Sequence, residues 1–137
     1  MSKNISVVDL FCGCGGLYEG FKQAGFKASV SNDIWEPAFK TFVRNNNSTP
    51  FILGDITNLE IKKKIIQKGK GSKVLIGGPP CQAYSMAGQR NVDDPRGKLF
   101  EDYLEIVNNI KPKFFVMENV KGLLSMEHDK QKLNPAE

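Results

Sequence analysis

Cys81 is the residue best placed to do chemistry. It ends the run Gly77-Gly78-Pro79-Pro80-Cys81, directly behind the apolar stretch 74–76, and Gln82 follows it. Proline fixes its own φ and pushes the preceding residue to an extended conformation. The segment therefore predicts a strand running into a stiff bend that ends at a thiol. A buried cysteine packed for its volume is the plain alternative, but packing alone needs no such frame. A nucleophile held at a sheet edge, facing a cleft, does. Glu118 is the second candidate. It directly follows the apolar run Phe114-Phe115-Val116-Met117. A carboxylate there is poorly solvated unless it faces a cleft. Burial would raise its pKa and keep it protonated, able to donate a hydrogen bond. The plain alternative is a glutamate paired with a lysine or capping backbone amides.

Three aspartates close other short apolar runs. Asp9 leads into Leu10-Phe11-Cys12-Gly13-Cys14-Gly15-Gly16, a glycine-rich turn that lets a ligand approach the backbone. The dinucleotide fingerprint needs G-x-G-x-x-G, whereas the glycines here fall at 13, 15, 16 and 20, which counts against a nicotinamide cofactor. Asp9 can take the positive end of a ligand, such as an amino group. Asp33 could accept the two hydroxyls of a ribose, and Asp55 could accept from an adenine amino group. Singly, each is an ordinary cap or turn residue. Together they outline a nucleoside pocket.

The elements that must position these residues follow from local periodicity. Residues 5–10, 26–30, 51–53, 74–76 and 113–117 read as strands. Residues 17–24, 36–45, 59–67 and 98–110 read as helices, the first with Leu17, Phe21 and Ala24 inward, the last with Leu99, Tyr103, Ile106 and Ile110 on one stripe. Strands alternating with helices predict βαβ units and a mostly parallel sheet with helices on both faces. Strands four and five should be neighbours, which puts Cys81 and Glu118 on the carboxyl edge, where open α/β sheets bind ligands. The polar stretch 82–97 is long for a connection and reads as a moving lid.

Composition bounds the rest. The 137 residues are 40% apolar and 25% charged, enough for one folded domain. No apolar run approaches the roughly 18 residues of a membrane span, and no signal peptide is visible, so an intracellular, cytoplasmic protein is expected. The three cysteines have no framework spacing, and one histidine gives no zinc set. The net charge of +4 allows a polyanionic partner without requiring one. The lysines at 62, 63, 64, 68, 70 and 73 read as the wet face of a helix and the loop after it.

The ordered set Asp9-Leu10-Phe11-Cys12-Gly13-Cys14-Gly15-Gly16, Gly78-Pro79-Pro80-Cys81-Gln82 and Glu118-Asn119-Val120 resembles three signature motifs of the DNA cytosine-5 methyltransferases. Asp94-Pro95-Arg96-Gly97-Lys98-Leu99-Phe100 resembles the family's segment after the mobile loop. The resemblance implies a Rossmann-like domain dependent on S-adenosylmethionine. It implies Cys81 and Glu118 as catalytic residues, and Asp9, Phe11, Gly13, Gly15, Asp33, Ile34, Asp55 and Pro79 around the cofactor. Whether Ile34 or its neighbour Trp35 covers the adenine stays open. Gln82, Ser85, Gln89, Arg90 and Arg96 would face DNA. Residues 1–124 would form the cofactor-binding and catalytic half, with a poorly ordered polar tail over 125–137. The expected methyltransferase domain is incomplete at its C-terminus and lacks a target-recognition domain, so beside DNA it is expected to need either a complementing second polypeptide or the missing C-terminal region; a natural subunit, a degenerate gene product and a fragment of a longer protein stay open. A non-catalytic methyltransferase-like domain and an RNA cytosine-5 methyltransferase are the rival expectations.

Overall fold

The computed structural model describes residues 5–80 and 99–120, and the backbone of the pairs 127–128 and 131–132. Five parallel strands form one sheet: β1 (Ile5–Leu10), β2 (Phe26–Asp33), β3 (Phe51–Leu53), β4 (Val74–Gly77) and β5 (Phe114–Met117). Four helices alternate with them: α1 (Gly16–Gln23), α2 (Glu36–Asn45), α3 (Leu59–Gly69) and α4 (Leu99–Ile110). The spatial order is β3-β2-β1-β4-β5. The chain therefore winds outward from β1 in one direction, then returns to β1 and winds outward in the other. The crevice between the carboxyl ends of β1 and β4 is the switch point where such sheets bind ligands.

β1 shows how the two layers are specified. Successive strand residues face opposite sides. Val8 and Leu10 join a core with Ile65 of α3 and Tyr103, Ile106 and Ile110 of α4. Val7 joins the opposite core with Tyr18 of α1 and Phe42 of α2. The predicted stripe on α4 is borne out. That on α1 is not: Leu17 and Ala24 are exposed, and Tyr18 is the buried contact, its hydroxyl accepting from the Ala28 N–H (3.1 Å). α3 starts on Asn58, whose side chain accepts from the N–H groups of Glu60 and Ile61, an N-cap that satisfies two otherwise orphaned donors.

Two further expectations need correction. Lys62 is not on a wet face. Its side chain is 7% exposed and bridges α3 to Asp102 (2.8 Å) and Glu105 of α4. Tertiary packing of α4 over α3 decides this, and helical periodicity carries no trace of it. β2 also runs three residues further than expected, to Asp33, because Ser31, Asn32 and Asp33 pair with β3. In the tail, β6 (Glu127–His128) and β7 (Gln131–Lys132) form a short antiparallel pair.

Candidate active site

The carboxyl edge of the sheet carries a cleft of about 460 Å³, lined by Phe11, Asn32, Ile34, Gly54, Asp55, Ile56, Thr57, Pro80 and Leu99. Each wall has a local cause. Phe11 leaves β1 with φ 54°, a left-handed conformation that side chains adopt only at a cost. The Cys12 N–H donates to the Asn32 carbonyl (3.0 Å), which holds the turn against β2. The Asn32 side chain donates to the carbonyls of Ile52 (2.8 Å) and Gly54 (3.0 Å), tying β2 to the end of β3. Asp55 Oδ1 accepts from the N–H and hydroxyl of Thr57 (both 2.8 Å). Among the described residues no donor reaches its Oδ2.

Asp33 serves the turn itself. Its Oδ2 accepts from the Gly13 N–H (2.8 Å) and its Oδ1 from the Trp35 N–H (2.9 Å). Gly13 has φ 52°, so the turn that offers this N–H favours glycine. Gly15 has a packing reason: a Cβ there would lie 2.8 Å from the Phe42 ring. Ile34 lines the cleft, and Trp35, though exposed, is not among its lining residues.

Asp9 does not reach the cleft. It is fully buried, and among the described residues neither carboxylate oxygen has a hydrogen-bond partner. Its strand neighbour across the register, Ser31, is also fully buried, and its hydroxyl is likewise unpartnered. Burial, and then the Asp33 carboxylate, push the Asp9 pKa up to about 8. The expected role as acceptor for a ligand's amino group therefore has no geometric support in this state. Burial and the carboxylates of Asp9 and Asp33 also push the Cys12 thiol well up, so Cys12 is a packed, protonated thiol.

β4 and β5 pair in register, Gly77 opposite Met117, and the Glu118 N–H donates to the Gly77 carbonyl (2.9 Å). The two glycines ahead of the prolines have separate reasons. A Cβ on Gly77 would lie 2.6 Å from the Leu10 carbonyl oxygen, and one on Gly78 would lie 3.1 Å from Glu118 Oε2. The Glu118 carboxylate thus sits against the bend three residues ahead of Cys81. The Asn119 side chain donates to the Pro79 carbonyl (3.1 Å) and pins the same bend to the end of β5. Glu118 is exposed rather than buried as expected. Cys81, Gln82, Ser85, Gln89, Arg90 and Arg96 lie outside the described residues, as does the expected lid.

Sequence reasoning left Asn32, Gly54, Ile56, Thr57, Pro80 and Leu99 out of the cofactor set. Gly54 and Pro80 carried a signal as a strand-end and a motif residue, and Leu99 as the first residue of the α4 stripe. The others reach the cleft because strands distant in sequence end side by side.

Residues 5–135 match the family described as C-5 cytosine-specific DNA methylase. The chain belongs to this family. It is 43% identical to the Type II methyltransferase M.DdeI of Desulfomicrobium norvegicum, over 90% of this chain and 29% of that protein. It is 41% identical to M.NgoPII of Neisseria gonorrhoeae, over 91% of this chain and 36% of that one. M.AquIA of Picosynechococcus is 40% identical, with 52% of its length covered. The chain thus spans about a third of the first two relatives and about half of the third. Among solved structures, a prophage-encoded E. coli protein assigned as a DNA modification methyltransferase superposes with a TM-score of 0.73 at 33% identity. That match covers 88% of this chain and 33% of the other. A Spodoptera frugiperda DNMT2 mutant shares the fold, with a TM-score of 0.64 at 24% identity. Among the described residues no helix is long and apolar enough to cross a membrane.

Proposed function

We propose that this chain is the cofactor-binding and catalytic part of an enzyme that methylates carbon 5 of cytosine in DNA. The observation that carries the proposal is the convergence on one sheet edge. The cleft opens at the switch point, and Glu118 touches the Gly78 bend that leads to Cys81. The cleft has the size and the mixed apolar and polar lining of a small-molecule site. It fits S-adenosylmethionine, with Phe11 and Ile34 against its apolar surface and Asp55 Oδ2 as an acceptor for the adenine amino group. Asp33, Gly13, Gly15 and Pro79 would act by holding the turn and the bend rather than as cleft walls. When bound, the cofactor supplies an electrophilic methyl group on a sulfonium sulfur.

The chain's own chemistry concerns the base. Carbon 5 of cytosine is a poor nucleophile. Addition of the Cys81 thiolate to carbon 6 forms a carbon–sulfur bond and shifts the ring's electron pair to carbon 5, which then acts as an enamine. Glu118, in its protonated form, donates to ring nitrogen 3 and accepts from the exocyclic amine, stabilising charge that develops on the ring. After alkylation, carbon 5 loses its proton, the electron pair re-forms the ring double bond, and the thiolate leaves. These atoms are hidden in a duplex, so the base must be flipped out. Gln82, Ser85, Gln89, Arg90 and Arg96 are assigned to the loop that contacts DNA. Activity is assigned to this chain together with the region its relatives carry beyond the matched stretch, on this or a second polypeptide.

Trapping on a duplex containing 5-fluorocytosine tests the assignment, because fluorine cannot leave carbon 5 as a proton does. Co-expressed with the remainder of M.NgoPII, the chain should form a denaturation-resistant adduct with DNA and S-adenosylmethionine. Cys81→Ser should abolish it. Cofactor binding by calorimetry without any adduct would favour a non-catalytic domain, and an adduct only with tRNA would favour an RNA substrate.

A further inference from the structure

We propose that the amino edge of the sheet, opposite the cleft, binds the phosphate backbone of a second segment of duplex DNA without regard to sequence. That the polyanion is DNA rests on the proposed function; the basic surface itself does not.

Strand register builds this surface. Lys27 of β2 is level with Ser6 of β1. The Lys73 N–H donates to the Ser6 carbonyl (3.1 Å), and the Lys113 N–H to that of Lys73 (2.9 Å). Lys73 and Lys113 immediately precede β4 and β5. Lys27, Ser6, Lys73 and Lys113 therefore form one row across four neighbouring strands, at the ends where those strands begin. Neighbouring strands lie about 4.8 Å apart, so the row spans about 14 Å. The helices α3 and α4 end at the same edge. A Cβ on Gly69, the last residue of α3, would lie 2.7 Å from Ile110 Cδ1, at the end of α4, and 2.8 Å from Val8 Cγ2 of β1. That convergence brings Lys68, Lys70 and Lys111 to the row. All six lysines are exposed, and among the described residues none of them makes an ion pair.

No carboxylate answers them. Among the described residues the strands carry theirs at or just past the opposite ends, at Asp9, Asp33, Asp55 and Glu118. The helices carry theirs in the first turn, next to those ends, apart from Glu105 one turn later. Charge is thus divided between the two edges of the sheet. The helix dipole favours cations at a C-terminus, which accounts for Lys68, Lys70 and Lys111. It does not account for Lys27, Lys73 and Lys113, which belong to strand starts. Like charges level on neighbouring strands are destabilising, and Lys73 beside Lys113 carries that cost in the free chain. A bound polyanion removes it. Duplex DNA has one charge per about 1.7 Å of axis, so about 14 Å of duplex offers about eight, enough for the whole row. Membrane surfaces are met instead by an amphipathic helix with an apolar face, and these lysines come largely from strand starts and turns. The six residues of β1 put about 20 Å between this edge and the cleft. The DNA bound here is therefore a different stretch from the one presented to the cleft edge.

The test reads binding of this chain to short labelled duplexes by fluorescence anisotropy, without cofactor, over about 50 to 200 mM salt. Duplexes of unrelated sequence should bind equally, with log K falling linearly in log salt. Lys73→Gln combined with Lys113→Gln should weaken binding at least tenfold and flatten the salt slope by about 1.8, about 0.9 for each lost contact. The thermal midpoint of that variant without DNA should hold or rise, because both side chains are exposed and repel each other. Lys40→Gln combined with Lys63→Gln removes the same net charge from exposed sites elsewhere and should change affinity less than twofold. Equal losses in the two double variants overturn the proposal by making net charge the cause. An unchanged slope in the row variant overturns it as well. Tighter row-dependent binding to duplex RNA, or to phosphatidylserine vesicles, than to duplex DNA also overturns it by naming another occupant. Row-dependent DNA binding without any Cys81 adduct in the reconstituted enzyme sinks the catalytic reading alone. An adduct alongside DNA binding that ignores the row sinks this proposal alone.

Discussion

Asp9 shows how one residue can be read correctly as unusual and wrongly as to its surroundings. Its place at the end of an apolar strand marks it for a special environment, and it has one: complete burial beside an equally unpartnered Ser31. Its folded pKa of about 8 lies above the ordinary carboxyl value. Between about pH 4 and pH 8 the folded chain therefore holds a proton that the unfolded chain has released. Stability falls as pH rises through that window and levels off above it. Over the three units to pH 7, the loss is on the order of 4 kcal/mol at 1.36 kcal/mol per unit. Asp9→Asn should flatten this part of the stability profile and raise the thermal midpoint at pH 7 to 8. Thermal melts of both proteins across pH 4 to 8 check it. Equal slopes would mean that Asp9 finds a partner that removes the penalty.

At the scale of elements, the period of the apolar residues predicts five strands and four helices, and all nine form. What periodicity does not carry is how closely elements approach, and glycines mark those places. Gly69 ends α3 where a Cβ would lie 2.7 Å from Ile110 Cδ1 and 2.8 Å from Val8 Cγ2. Gly69→Ala should destabilise by about 1–3 kcal/mol through overpacking, although alanine is the better helix former. Gly20 lies inside α1 with open space where its Cβ would be. There the same substitution should stabilise by about 0.5–1 kcal/mol. Denaturant melts of the two variants should shift in opposite directions. A shared direction would show that helix propensity or packing alone governs both sites. Lys62 makes the same point with charge, since its neighbours at 63 and 64 are exposed while it lies under α4.

At the scale of the whole molecule, the cleft proposed for the cofactor is assembled from several elements along one edge of the sheet. The cleft draws its walls from the ends of β1, β2 and β3, the Pro79-Pro80 bend and α4, all in this chain. S-adenosylmethionine should therefore raise the thermal midpoint of the chain without any partner, by the usual linkage of ligand binding to folding. Ile34→Asp should remove that shift while leaving the unliganded midpoint unchanged, since Ile34 is 65% exposed. A midpoint insensitive to cofactor until a partner is added would mean that the cleft is completed from outside.

The sequence by itself determined the family and the alternation of elements, and it singled out Cys81 and Glu118 as the catalytic candidates. Motif chemistry and apolar period are written in short spacings along the chain. Only the tertiary structure decided which residues share a place. It turned Asp9 inward, chose Ile34 over Trp35 for the cleft, buried Lys62 and left β5 bare. Each of these depends on which strand lies beside which, and the order β3-β2-β1-β4-β5 is set by contacts between residues far apart in sequence. Burial is a property of that order. A run of apolar residues looks the same in a flanked strand such as β4 and in an open one such as β5.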